Sequence, residues 1–106
     1  MDTHIQSALD ELRRGFEETY GQRLARLVLY GSQARGDALA GSDVDMLVLL
    51  RGAVDPCEEI ERCGKMTADL SLKYDIVVSC VFMAEEEFER RQGPFLRNVR
   101  REGVVV

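Results

Sequence analysis

Tyr30-Gly31-Ser32-Gln33-Ala34-Arg35-Gly36, a loop through Gly41, and then Ser42-Asp43-Val44-Asp45-Met46 is the stretch on which the fold turns. It joins the apolar run Leu27-Val28-Leu29-Tyr30 to a second one, Met46-Leu47-Val48-Leu49-Leu50. Gly31 stops the first run, and Gln33 to Arg35 leaves room for one helical turn. Val44 to Leu50 is apolar apart from Asp45, as in a strand covered on both faces. Two strands joined this way can lie side by side as antiparallel neighbours.

Working outward, Thr3-x-x-Gln6 resembles a capping box, and Ile5, Leu9, Leu12 and Phe16 follow at helical spacing. The spacing predicts a helix from about Thr3 to Thr19, ending before Gly21, and a strand from Ala25 to Tyr30. Beyond the second strand, Asp55-Pro56-Cys57-Glu58 is a strong helix start: Asp55 can cap, proline suits the first helical position, and Glu58 complements the dipole. Ile60, Cys63, Thr67, Leu70 and Tyr74 continue the helix. Asp75 to Phe82 has the length and branching of a third strand, opening on Asp75. Ala84 to Gln92 reads as a short acidic helix broken by Gly93-Pro94. Phe95, Leu96 and Val99 support a last helix ending at Gly103, and Val104-Val105-Val106 is too short to assign. The order predicts an α/β (α+β) domain, a small mixed β-sheet flanked by helices, spanning residues 1–106 as a single unit.

The totals narrow the class. The chain has 106 residues with 45% hydrophobic and 31% charged content, enough for a core but not for a second lobe. No apolar run reaches bilayer length and the N-terminus lacks signal-peptide character, so the expected location is cytoplasmic and no membrane partner is expected. The net charge of −5 argues against general nucleic-acid binding. The three cysteines show no metal-ligand spacing and read as buried thiols. Arg97, Arg100 and Arg101, like Glu85, Glu86, Glu87 and Glu89, read as solvated faces, and His4 as an exposed residue.

Asp43 and Asp45, one residue apart on an extended backbone, send both carboxylates to one face. They repel unless a cation lies between them, and oxygen-only ligands suit Mg²⁺. Asp75 can supply a third carboxylate from another strand, so two ions and a triphosphate could be held. Gly31 lets backbone come close to phosphate, Ser32 adds a hydroxyl and an amide, and Arg35 offers a fork of donors. Taken singly these are ordinary: Asp-x-Asp often marks a loop edge, Gly-Ser is a common turn, and a lone arginine is usually a solvated one.

Together, Gly-Ser-x-Ala-Arg-Gly followed by Ser-Asp-x-Asp-x-Leu-Val, with the later Asp75, resembles the nucleotidyltransferases of the DNA polymerase beta superfamily. The minimal, MNT-type branch is the closest in pattern, in chain length and in the Arg101-Glu102-Gly103-Val104 ending. The resemblance covers nearly the whole chain. It implies a polymerase beta-like fold, with Mg²⁺, two ions, on Asp43, Asp45 and Asp75, and ATP at Gly31 and Ser32. The reaction implied is transfer of AMP to an acceptor hydroxyl. It further implies an antitoxin whose partner is a HEPN-domain ribonuclease, a tyrosine of the partner being the acceptor. Oligomeric assembly is left open. Alternatives from the same residues are a non-catalytic module that masks its partner, a small-molecule, antibiotic-type nucleotidyltransferase, and a nucleotide-sugar transferase using Asp-x-Asp.

Overall fold

The computed structural model describes residues 3–36, 38 and 43–106. Helix α1 (Thr3–Tyr20) passes through a 3-10 turn (Gly21–Arg23) into strand β1 (Leu24–Tyr30), followed by the four-residue helix α2 (Ser32–Arg35). Strand β2 (Val44–Leu50), helix α3 (Pro56–Tyr74) and strand β3 (Val78–Ala84) come next. Helices α4 (Glu85–Arg90) and α5 (Pro94–Glu102) precede a two-residue strand, β4 (Val104–Val105). Ser42 and most of the loop before it lie outside the described residues.

The sheet order is β3-β2-β1-β4. β1 pairs antiparallel with β2 and with β4, and β2 pairs parallel with β3. The sheet is therefore mixed, as the order of elements predicts. β2 is central, and every residue of it is buried except Asp45. Its even-numbered residues Val44, Met46, Val48 and Leu50 join Leu9, Leu12 and Phe16 of α1 and Cys63 of α3 in one apolar layer. Its odd-numbered residues Leu47 and Leu49 join Phe88, Leu96 and Val99 of α4 and α5 in the other. Period-two alternation thus assigns Asp45 to the α5 face. The same alternation puts Tyr30 there on β1, packed against that second layer.

Two boundaries depart from the sequence reading. β3 opens at Val78, three residues after Asp75. Asp75 is in the left-handed region (φ 52°, ψ 52°) and closes α3, with the Ile76 amide reaching back to the Ser71 carbonyl at 3.0 Å. Such a closure leaves no extended backbone at Asp75, so it cannot head the strand. Val104-Val105, unassigned from sequence, gains strand structure by pairing Val104 with Leu29 and Val105 with Val28, and the Val106 amide donates to the Leu27 carbonyl at 3.0 Å. Gly103 makes this return possible: a Cβ there would lie 2.6 Å from Val28 Cγ1 and 2.4 Å from the Val99 carbonyl oxygen.

Cys57 departs from the readings above, while His4 and Arg100 gain partners. Cys57 is exposed, whereas Cys63 is buried. Burial pushes the Cys80 thiol up to about 12. His4 is exposed but its ring bonds to the Tyr74 carbonyl. Arg100 lies over the Phe88 ring, 4.9 Å from its centroid, and its guanidinium donates to the Phe88 and Arg91 carbonyls. Arg100 thus ties α5 to α4 while staying exposed, as read.

Glu59, only 2% exposed, fastens α3 to the end of α1. It accepts from the Tyr20 hydroxyl at 2.7 Å, and Arg62 Nε and Arg23 Nη1 stand 3.0 and 3.5 Å from its oxygens. Burial, then the bonds to Cys63 and Glu59, hold the Tyr20 phenol well above its ordinary value, so it remains a donor. Removing one partner of a buried ionic cluster strands the others. Glu59→Ala is expected to cost about 3–5 kcal/mol in urea unfolding. Tyr20→Phe, which deletes the hydroxyl's contacts to Glu59 and Cys63, is expected to cost about 1–2 kcal/mol.

Candidate active site

Gly31 ends β1 and starts α2 in a conformation only glycine adopts readily (φ 75°, ψ −159°). A Cβ built at this position would lie 2.4 Å from Asp45 Oδ2. The absent side chain therefore sets how near the Gly-Ser turn comes to the carboxylate. Tyr30 and Asp45 are cross-strand partners in the β1–β2 ladder, which fixes the lateral position of that contact. Ser32 is the first residue of α2. The helix is closed by the Arg35 amide on the Gly31 carbonyl at 3.1 Å and the Gly36 amide on the Ser32 carbonyl at 3.0 Å.

Asp45 is half-buried and Asp43 exposed at the lead-in to β2. Burial raises the Asp45 carboxyl above its ordinary value, the Asp43 charge raises it further, and the Arg35 guanidinium pulls it down. The three side chains thus share one electrostatic environment. Tyr30, the cross-strand partner of Asp45, borders the same spot, and burial followed by the Asp45 charge raises its phenol. The Tyr30 ring meets Phe95 of α5 edge to face, with centroids 5.4 Å apart.

The structure brings together Gly31, Ser32, Arg35, Asp43 and Asp45. It does not bring Asp75 to the same point. Among the described residues no group of three or more His, Cys, Asp or Glu side chains is gathered for a metal ion. In the β2–β3 register, Asp45 faces Ser79, and the Val44 amide donates to the Val77 carbonyl at 2.8 Å. Asp75 lies further along, at the end of α3. Sequence reasoning missed Glu102, whose Oε2 is 3.1 Å from Arg35 Nη1. Its distance in the chain from Arg35 gave no local signal.

Two oxygen-donor carboxylates, one of them penalised by burial and by its neighbour, fit a hard divalent cation such as Mg²⁺. Such an ion takes its remaining ligands from water and substrate phosphates. Beside it, Gly31 and Ser32 offer close backbone and a hydroxyl to anionic oxygens.

Residues 9–105 match the nucleotidyltransferase domain family. The chain belongs to that family and is a nucleotidyltransferase. It is 35% identical over 102 residues to a protein of Methanocaldococcus jannaschii provisionally named a protein adenylyltransferase, covering 95% of this chain and 96% of the relative. Among solved structures, a toxin-antitoxin crystallised with AMP-PNP superposes with a TM-score of 0.67 at 20% identity, over 91% of this chain and 69% of that one. The complex of a tri-AMPylated Shewanella oneidensis HEPN toxin with an MNT antitoxin gives 0.61 at 16% identity, over 94% and 69%. These likenesses show a shared nucleotidyltransferase fold.

Two measurements check the site. Gly31→Ala puts a methyl group where Asp45 Oδ2 stands, and a displacement near 1 Å costs about a hundredfold in rate; a loss of that size in nucleotidyl transfer is expected. Asp45→Asn removes the penalised charge. A raised folded-state value means Asp45 favours folding in its protonated form, an advantage lost as pH rises through that value. In EDTA at pH 8, Asp45→Asn should therefore melt above the wild type, and the gap should narrow as pH falls into the ordinary carboxylate range.

Proposed function

We propose that this nucleotidyltransferase uses Mg²⁺ and ATP to place AMP on a tyrosine hydroxyl of a HEPN-domain ribonuclease, and so acts as an antitoxin. The observation that carries the transfer chemistry is the Gly31 contact with Asp45. It puts a phosphate-admitting turn and a cation-demanding carboxylate at the same spot. The partner and the acceptor come from likeness. One relative is named for protein adenylylation, and one structural neighbour is an MNT antitoxin bound to an AMPylated HEPN toxin.

In this reading Asp43 and Asp45 hold the cation. When bound, Mg²⁺ stabilises charge on the triphosphate and makes the acceptor hydroxyl easier to ionise. Gly31 and Ser32 seat phosphate oxygens with backbone and hydroxyl donors, and Arg35 adds charge-assisted hydrogen bonds. The acceptor oxygen bonds to the α-phosphorus, the bond from that phosphorus to the bridging oxygen breaks, and pyrophosphate leaves while the hydroxyl proton is released. Asp75, the left-handed residue closing α3, is assigned no ligand role in this reading.

A masking role would use the apolar Val104-Val105-Val106 ending, whose backbone pairs with β1 while the Val104 and Val105 side chains stay exposed. No helix among the described residues is long and apolar enough to cross a membrane.

Incubation with the HEPN partner, α-labelled ATP and Mg²⁺ is expected to label the partner. Asp43→Asn with Asp45→Asn should abolish labelling in folded protein, and Asp75→Asn should retain more activity than either of those single changes. Absence of label with the wild type, or label untouched by the double change, contradicts the proposal. Loss of activity in Asp75→Asn as deep as in Asp45→Asn would assign Asp75 a ligand's role.

A further inference from the structure

We infer that Glu102 is a positioning residue for the nucleotide site: it holds the Arg35 guanidinium in place for a polyphosphate. This rests on the nucleotide reading above. Glu102 is the last residue of α5, far from Arg35 in sequence, yet its Oε2 lies 3.1 Å from Arg35 Nη1. Its other oxygen, Oε1, lies 3.3 Å from Arg101 Nη2. The contacts to Arg35, first, and to Arg101 hold the Glu102 carboxyl below its ordinary value, so it is charged at neutral pH.

The backbone around Glu102 is fixed by contacts independent of the ion pair. The next residue, Gly103, passes so close to β1 that a Cβ would meet Val28 Cγ1 at 2.6 Å. β4 then pairs with β1 immediately beyond it. At the other end of the ion pair, Arg35 sits on a four-residue helix, which is too short to order itself. A long arginine side chain on such an element samples many rotamers unless something fixes it. Glu102 brings the rigidity of the sheet edge to that side chain.

The electrostatics agree. Arg35 closes the turn that opens beside Asp45: its amide donates to the Gly31 carbonyl at 3.1 Å, and a Cβ at Gly31 would lie 2.4 Å from Asp45 Oδ2. Within the trio of Arg35, Arg101 and Glu102, two guanidinium charges face one carboxylate, so the pairing leaves the trio net positive. The pair is also partly exposed, with side-chain accessibilities of 43% and 23%, and such pairs add little to fold stability. Binding, more than folding, is where the contact should be felt.

The test uses the intact protein, Mg²⁺ and a non-hydrolysable ATP analogue, with affinity read by calorimetry and stability by thermal melting. Glu102→Gln is expected to weaken binding by about threefold to tenfold. It should shift Tm by less than about 4 °C. Arg35→Gln should weaken binding as well, and the double variant should be no worse than Arg35→Gln alone, because Glu102 acts through Arg35. Glu102→Asp, which keeps the charge, should recover part of the loss. Unchanged or tighter binding in Glu102→Gln, additive losses in the double variant, or a large fall in Tm overturns the inference. If the wild type fails to bind the analogue, the nucleotide reading falls and this inference with it. Wild-type binding with an unaffected Glu102→Gln defeats the inference alone.

Discussion

The approach of Gly31 to Asp45 is the constraint on which the site depends. A methyl group at residue 31 would stand 2.4 Å from Asp45 Oδ2, and the backbone there has a φ of 75° that side chains resist. Both facts require glycine, and both follow from joining an antiparallel strand pair through a turn as tight as α2. The ladder pairing of Tyr30 with Asp45 sets the lateral position, and the buried β2 sets the height. The carboxylate is consequently held where burial and Asp43 work against its charge. Asp45 is thus expensive for the folded chain on its own, and a cation bound beside it would offset that cost. That is a common signature of a site built for binding at the expense of stability.

Around this point the fold divides its labour. The layer of α1 and α3, tied by the Glu59 cluster, supports the back of the sheet. The layer of α4 and α5 lies on the face that carries Asp45 and Tyr30. It reaches the site twice, through Phe95 on Tyr30 and through Glu102 on Arg35. The short C-terminal strand pins the second of these contacts by pairing with β1.

Much of the fold was legible in the sequence because its signals are local. Val44 to Leu50 reads as a doubly buried strand from composition alone, and Asp55-Pro56 starts α3 as read, with the Asp55 carboxylate accepting from the Cys57 and Glu58 amides. Gly31, Ser32, Arg35, Asp43 and Asp45 were legible because they sit within fifteen residues of one another on either side of one loop. What was not legible depends on distant partners. Asp75 before Ile76-Val77-Val78 looks like a strand opening, and only the left-handed closure of α3 shows that it is not. Two valines cannot announce a strand until β1 lies beside them. Glu59 resembles any acid in a first helical turn, and its burial comes from Tyr20, 39 residues away. Glu102 was hidden for the same reason.

The central claim is that Asp43 and Asp45 hold a divalent cation that seats the nucleotide at Gly31 and Ser32. Calorimetric titration of a non-hydrolysable ATP analogue into the wild type and into Asp45→Asn, each with Mg²⁺ and with EDTA, addresses it most directly. The account predicts binding by the wild type with Mg²⁺, and little or none in EDTA or in Asp45→Asn under either condition. Equal binding in all four titrations would contradict it.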